Sequence, residues 1–211
     1  MKYFINNLFS SILAGILIGV GGTAYLYSSV SFENGKFIGA ALFSLGLFVI
    51  LIYKLNLFTG KVCYVLFEDK KFALNLLTIL LGNFIGAAGF GYLMRLVASD
   101  DVLALVNNIS NTKTSISLLN SFVLAICCGM MIYLAVNIFK EAEHQIAKYI
   151  AVVVPIIVFI ICGFEHCIAN MYYFSISNTW SFNTLLYLLI MILGNTVGGS
   201  VIPLLRKAAD K

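Results

Sequence analysis

Six long apolar segments dominate the sequence. They cover residues 10–30, 37–67, 72–97, 117–139, 147–174 and 182–205. Each is long enough to cross a bilayer, which takes about 20 consecutive apolar residues in a helix. Because lipid offers no hydrogen-bond partner to the backbone, such segments must be helical. The sequence therefore predicts an all-α polytopic membrane protein with six transmembrane helices, forming a single domain over residues 1–211.

Composition excludes most other classes. The chain is 61% hydrophobic and 10% charged, with a mean hydropathy of +1.00, which excludes a soluble globular domain. The net charge of +4 without a basic tract predicts no nucleic-acid partner. The five cysteines are an odd number, lie mostly in apolar runs and form no pair of CxxC motifs, so they are interpreted as packing residues. No metal site and no cofactor is predicted.

The distribution of basic residues predicts the topology. One side of the membrane would hold eight of them: Lys2, Lys70, Lys71, Lys140, Lys148, Arg206, Lys207 and Lys211. The opposite side would hold three: Lys36, Arg95 and Lys113. Since the side richer in Lys and Arg stays in the cytoplasm, both termini are predicted to be cytoplasmic, in a cell (inner or plasma) membrane.

Two of the six segments are longer than a bilayer needs and are interrupted by polar residues. Asn56, Thr59 and Gly60 interrupt the second segment, whereas Glu165 and His166 interrupt the fifth. A charged group at mid-membrane costs about 2.5–3.5 kcal/mol and therefore usually faces a pore or a buried partner. Irregular backbone at that depth must likewise line a cavity or be buried by protein. We expect broken second and fifth helices that meet at a transport site.

The third and sixth segments share a Gly-Asn-x-x-Gly pattern, at residues 82–86 and 194–198. With three helices in each half, this likeness predicts a 3+3 inverted repeat, approximately residues 1–105 and 111–211. Asn83 and Asn195, within the two patterns, are predicted to form hydrogen bonds between helices rather than to bind a ligand.

The connections are predicted to be polar. Residues 99–115 are expected to form a loop at the outer mouth, and residues 4–9 a separate interfacial helix before the first span. Glu141, Glu143 and His144 lie in a short charged connection, where a solvated loop is favoured over a metal site.

Residues 163–171, Gly-Phe-Glu-His-Cys-Ile-Ala-Asn-Met, closely resemble the signature of the formate/nitrite transporter family. Residues 57–60, Leu-Phe-Thr-Gly, resemble the loop that interrupts the second helix in that family. The resemblance covers all six segments. It implies a homopentamer of aquaporin-like protomers, each with a pore for a small monovalent anion or its conjugate acid. Formate, nitrite and hydrosulfide are the well-known substrates, with lactate or acetate in some members.

The same resemblance implies roles for individual pore residues. His166 matches the central pore histidine, and Thr59 matches the threonine on the loop of the broken second helix. Lys113 matches a lysine proposed to attract anions at the outer vestibule. Leu57 and Phe58 fall at the apolar constriction on the cytoplasmic side. The plainer alternative for His166 is a buried histidine whose hydrogen bonds are satisfied by a neighbouring helix. The plainer alternative for Lys113 is a lysine in a solvated loop.

Other residues are predicted to support the site or to modify it. Glu165 is expected to hold the loop or the imidazole rather than to touch substrate, and Asn170 is assigned to the same supporting group. Asn56 stands where formate channels commonly have an acidic residue, and Gly129 where an Asn is expected. With the additional Lys54 and Lys61, these departures favour hydrosulfide or nitrite over formate.

The prediction is therefore a membrane channel for a small monovalent anion, and not an enzyme. Acetate or lactate are the alternative substrates. A neutral-solute channel of the aquaporin type would carry Asn-Pro-Ala motifs, which the sequence lacks. A membrane enzyme that uses Glu165 and His166 as an acid–base pair finds no support in a cofactor motif or metal cluster.

Overall fold

A computed structural model of the protein describes residues 2–209, with side chains from residue 4 onward. All regular elements in this range are helical, and nine are α-helices: α1 Lys2–Ser31, α2 Gly35–Ile52, α3 Phe58–Lys61, α4 Lys70–Arg95, α5 Asp100–Ser115, α6 Leu118–Glu141, α7 Gln145–Ile161, α8 Cys167–Ser177 and α9 Phe182–Ala209. A 3-10 turn, Val62–Tyr64, follows α3 directly. The domain and topology predictions also used residues outside the described range, namely residues 1, 210 and Lys211. The side chain of Lys2 likewise lies outside the described part.

Among residues 2–209, five helices are long and apolar enough to cross a membrane: α1, α2, α4, α6 and α9. Helix α7 is apolar but shorter, at 17 residues. The prediction of an all-α chain with membrane-spanning helices is confirmed. The separate interfacial helix predicted over residues 4–9 is wrong, because α1 continues without interruption from residue 2 to residue 31. The polar Asn6 and Asn7 do not end this helix.

The second and fifth apolar segments are each divided into two helices. Helix α2 ends at Ile52 and α3 begins at Phe58, whereas α7 ends at Ile161 and α8 begins at Cys167. Both first halves end in the same way, with a residue of left-handed backbone conformation two positions after the helix: Lys54 at φ +53° and Gly163 at φ +67°. A left-handed residue is a common helix stop, since it turns the chain away from the helix axis.

Helix packing follows one pattern in each half of the chain. Helix α1 packs against α2 and α4, and α6 packs against α7 and α9. Glycines bring the central helices into backbone contact. A methyl group at Gly15 would overlap the carbonyl oxygen of Asn83, and one at Gly129 would overlap that of Asn195. Small residues that let helix backbones approach are typical of packing in membranes.

Residues 100–115, predicted as a polar loop, form helix α5. The helix is amphipathic, because Val102, Val106 and Ser110 recur every four residues and are buried. Helix α5 packs against α8. Ser110 contributes a hydrogen bond of 2.9 Å to the hydroxyl of Ser177 in α8. The predicted boundary between the repeats therefore falls within a helix, and Lys113 lies in the last turn of that helix instead of in a loop.

Candidate functional site

The two helix breaks meet in the interior of the protein. The hydroxyl oxygen of Thr59, on α3, lies 2.8 Å from Nε2 of His166, which precedes α8. Both residues are only 1% exposed. The structure thus brings together two residues that are far apart in the sequence and that the resemblance had assigned to the pore.

The hydrogen bonds of His166 define its tautomer. The residue is the N-cap of α8, where its Nδ1 accepts the backbone N–H of Ala169 at 3.1 Å. A neutral imidazole that accepts at Nδ1 carries its proton on Nε2. The Nε2–H group therefore donates to the hydroxyl oxygen of Thr59, and the hydroxyl hydrogen of Thr59 stays available to another acceptor.

Beside His166, the carboxylate of Glu165 is held by an ion pair and an amide. Lys113 Nζ donates to Glu165 Oε2 at 2.6 Å, and Asn170 Nδ2 donates to the same oxygen at 2.7 Å. Glu165 is 3% exposed, and the side chain of Lys113 is 15% exposed. The alternative of a solvated loop lysine is wrong, because Lys113 points inward from α5 and its charge is compensated by Glu165.

Asn83 and Asn195 hold the two breaks with equivalent hydrogen bonds. Asn83 Oδ1 accepts the backbone N–H of Phe58 at 2.7 Å, and Asn195 Oδ1 accepts that of Cys167 at 2.9 Å. Each amide nitrogen donates twice: Asn83 to the carbonyls of Asn56 and Ser11, and Asn195 to those of Glu165 and Ala125. At the breaks themselves, these amides satisfy the N–H and C=O groups that have no intrahelical partner, and their bonds to Ser11 and Ala125 tie each break to a neighbouring continuous helix.

The first break has a polar cluster of its own, which sequence reasoning missed. Asn56 Nδ2 donates to Asn7 Oδ1 at 2.7 Å, and Asn7 Nδ2 donates to Asn75 Oδ1 at 2.6 Å. The backbone N–H of Asn56 also donates to the hydroxyl of Ser10. The one available signal was the pair of Asn residues at the start of an otherwise apolar helix.

A cavity of about 260 Å³ lies beside the second break. Its lining includes His166, Glu165 and Lys113, together with Lys36 and the aromatic residue Phe159. The ring of Phe159 is tilted against the imidazole of His166, with ring centres 5.9 Å apart. The imidazole therefore borders this cavity and at the same time contacts an apolar wall.

A second cavity, of about 420 Å³, lies beside the first break. Leu57 and Gly60, which flank Thr59 in the sequence, contribute to its lining. The remaining lining is apolar except for four lysines: Lys54, Lys61, Lys140 and Lys148. Phe58 is buried and contributes its backbone N–H to Asn83. Since His166 borders one cavity and the neighbours of Thr59 border the other, the hydrogen bond between Thr59 and His166 lies between them.

The model of the family described as "Formate/nitrite transporter" matches residues 2–208. The chain belongs to the formate/nitrite transporter family. The resemblance found in the sequence is thereby confirmed, and the chain is a membrane protein of a family of channels and transporters.

Individual relatives agree with the family assignment. The chain is 33% identical over 197 residues to formate-nitrite transporter 3 of Toxoplasma gondii. The aligned region covers 81% of this chain and 39% of that protein. It is 27% identical over 187 residues to formate channel FocA of Escherichia coli, covering 81% of this chain and 66% of that protein. The chain thus spans less than two thirds of the length of these relatives.

Solved structures show the same fold. A pentameric formate channel with formate bound superposes with a TM-score of 0.83, at 24% identity, over 99% of this chain and 97% of that chain. A second structure, an FNT family ion channel, gives a TM-score of 0.85 at 22% identity, over 98% of this chain and 90% of that chain.

Proposed function

We propose that the chain is one protomer of a homopentameric channel that passes a small monovalent anion or its conjugate acid. The observation that carries this proposal is the buried Thr59–His166 hydrogen bond, with a cavity on either side. In this proposal, the six membrane segments of the protomer form a 3+3 inverted repeat, and both termini lie on the cytoplasmic side. The matched hydrogen bonds of Asn83 and Asn195 support the repeat. The likeness to a pentameric channel supports the assembly.

The apolar surroundings of this hydrogen bond explain why a proton matters to permeation. An anion that leaves water for an apolar passage pays a large desolvation penalty, whereas a neutral weak acid pays much less. Leu57 and Phe58, both buried, form the apolar passage beside the first break. The hydroxyl hydrogen of Thr59 is the free donor that compensates the permeant anion for lost water, and the Nε2–H group of His166 becomes a second donor when the anion takes the place of the Thr59 oxygen.

Lys113, Glu165 and Asn170 support this site and do not bind the permeant species directly. Their hydrogen bonds fix the chain immediately before His166, so the imidazole is presented to both Thr59 and the first cavity. Because Glu165 compensates the charge of Lys113, the other lysine that lines this cavity, Lys36, supplies the positive potential that draws anions toward the imidazole.

Nitrite and hydrosulfide are the preferred substrates in this proposal, and formate is third. The first break carries the neutral Asn56, and four lysines line the cavity next to it. A passage with an acidic residue in place of Asn56 would repel an anion more strongly at this position. Acetate and lactate complete the panel of anions that a test should include.

Flux measurements in proteoliposomes test the proposal. We expect flux of at least one anion of the panel, reduced at least about tenfold by His166→Asn and by Thr59→Ala, because each removes a hydrogen bond to a charged species. Thr59→Ser, which keeps the hydroxyl, is the matched control and should retain most of the flux. Unchanged flux in both His166→Asn and Thr59→Ala, or a purified protein that is not pentameric by native mass spectrometry, would contradict the proposal.

A further inference from the structure

The second cavity, here called the lysine cavity, carries positive charge that no carboxylate in its lining compensates. Lys54, Lys61, Lys140 and Lys148 line it, and its lining includes no carboxylate among the described residues. The two ion pairs found in residues 4–209 lie elsewhere: Lys113 with Glu165, and Arg206 with Glu141. The first cavity differs, because Glu165 belongs to its lining and neutralises Lys113, which leaves Lys36 as the one unpaired lysine in that lining among the described residues.

Four separate elements bring these lysines to one place. Lys54 lies in the first break, Lys61 at the end of α3, Lys140 near the end of α6 and Lys148 in the first turn of α7. Tyr64 positions one of them: Lys140 Nζ donates to the Tyr64 hydroxyl at 3.2 Å and lies 4.6 Å from the centre of the Tyr64 ring.

The position of Lys54 is notable on conformational grounds. Its φ of +53° lies in the left-handed region that favours glycine, and Gly163 occupies the matching position of the second break. The backbone geometry at this position therefore does not require a lysine side chain. Compared with a glycine at this position, Lys54 adds a positive charge at the cavity.

The other walls of the lysine cavity are apolar. Leu47, Ile50, Leu55, Leu57 and Phe139 belong to these walls. Attraction to four ammonium groups grows with the charge of the anion, whereas the penalty for entering the apolar passage grows even more steeply with that charge. A multivalent anion would therefore bind here and not pass.

We propose that the lysine cavity is a binding site for multivalent phosphate-type anions, which block entry of the permeant monovalent anion from this side. The block rests on the proposed function, because it requires the cavity to be part of the conduction path. Binding of the multivalent anion to the cavity does not depend on the proposed function.

One-sided inhibition in proteoliposomes tests the block, with inorganic pyrophosphate as the probe. We expect pyrophosphate to inhibit monovalent anion flux when it is added on the side of the lysine cavity and to be at least about tenfold weaker on the other side. Lys140→Gln combined with Lys148→Gln should raise the half-inhibitory concentration about tenfold, because half of the charge is lost. The matched control is Lys70→Gln with Lys71→Gln, two exposed lysines that do not line the cavity, and it should leave inhibition unchanged.

Equal inhibition from both sides, inhibition no stronger than that of sodium chloride at the same ionic strength, or equal sensitivity of both double variants would overturn the block. Titration calorimetry of pyrophosphate into the detergent-solubilised protein separates this failure from failure of the proposed function. Saturable binding that is weakened in Lys140→Gln with Lys148→Gln supports the site even if no flux is found, and absence of binding overturns it.

A lipid headgroup offers the same phosphate chemistry as a soluble anion. Repeating the inhibition in phosphatidylcholine vesicles with and without phosphatidylglycerol distinguishes the two sources. The negative surface of phosphatidylglycerol vesicles weakens pyrophosphate equally for every variant. A loss of potency larger than that seen in Lys140→Gln with Lys148→Gln therefore identifies the lipid as an occupant of the same site, and an equal loss identifies a soluble anion.

Discussion

The two helix breaks have the same backbone and different chemistry. Hydrogen bonds match position by position: the N–H of Leu55 reaches the carbonyl of Ile50 at 2.9 Å, and that of Phe164 reaches the carbonyl of Phe159 at 2.9 Å. The buried side-chain amide of Asn83 holds the first break by hydrogen bonds, and that of Asn195 holds the second. These two are called the clamping amides. By this register Leu57 corresponds to His166, the residue before the short helix in each case.

The side chains at matching positions differ in charge. Asn56 corresponds to Glu165, because the backbone carbonyl oxygen of each accepts a hydrogen bond from the side-chain amide of the clamping Asn. Asn56 is held by the neutral amide of Asn7, whereas Glu165 is held by the ammonium group of Lys113. Backbone geometry is thus set by the clamping amides, while the buried ion pair belongs to the second break alone among the described residues. Four predictions test this division.

The largest effect is expected at the ion pair of the second break. Lys113→Met removes the cation beside a buried carboxylate and should lower the free energy of unfolding by about 3–5 kcal/mol, since an unpaired buried charge remains. Asn56→Ala, at the matching position of Glu165, should cost only about 1 kcal/mol. Denaturant titration in detergent micelles measures both values. Recovery of stability in Lys113→Met with Glu165→Gln is the internal control, and a loss below about 1 kcal/mol for Lys113→Met alone would contradict the role of the pair.

The clamping amides should matter equally in the two breaks. Asn83→Ala and Asn195→Ala each leave a buried N–H and two carbonyl groups without their partner, so each should cost about 2–4 kcal/mol of unfolding free energy. The same denaturant titration provides the measurement, with the exposed Asn111→Ala as control. Costs that differ by more than about 2 kcal/mol between the two variants would show that the breaks are not held equivalently.

The glycine contacts behind the clamps should also behave as a pair. Gly15→Ala and Gly129→Ala place a methyl group against the backbone of Asn83 and Asn195, so each should destabilise by about 1–3 kcal/mol. Gly89→Ala is the matched control, because no atom lies within 4 Å of its added methyl group. That variant should be neutral or stabilising by up to about 1 kcal/mol. Thermal unfolding of the purified protein checks the order, which would fail if Gly89→Ala were the most damaging of the three.

The smallest effect is expected at the left-handed residues. Lys54→Gly should stabilise by up to about 1 kcal/mol, because glycine adopts a positive φ without steric cost. Gly163→Ala should destabilise by about 1 kcal/mol for the opposite reason. Opposite shifts of the thermal midpoint are the expected result, and shifts of the same sign would show that packing, and not backbone conformation, decides stability there.

Local patterns in the sequence predicted the helices well, but they did not predict contacts between distant residues. The interruptions around Asn56 and Glu165 correctly marked two helix ends, because Gly and polar residues weaken a helix in an apolar run. The ion pair of Glu165 with Lys113 joins residues 52 positions apart, and nothing local to either residue indicates the other. Helix α5 was missed because its many Asn, Ser and Thr residues masked the buried face at Val102 and Val106.

The candidate site shows the same limit. The resemblance assigned Thr59 and His166 to the pore, but their hydrogen bond depends on how the two breaks dock. The cluster of Asn7, Asn56 and Asn75 likewise requires two helices and a break to converge. The roles of these residues in permeation stay predictions.

The sequence by itself determined that the chain is helical and crosses a membrane. Its apolar segments favour lipid, and a backbone in lipid must satisfy its own hydrogen bonds. Only the tertiary structure decided which polar groups pair at the two breaks, because a broken helix leaves N–H and C=O groups that residues from other helices must satisfy. Those pairings place a buried ion pair beside the second break and a cluster of asparagine amides beside the first.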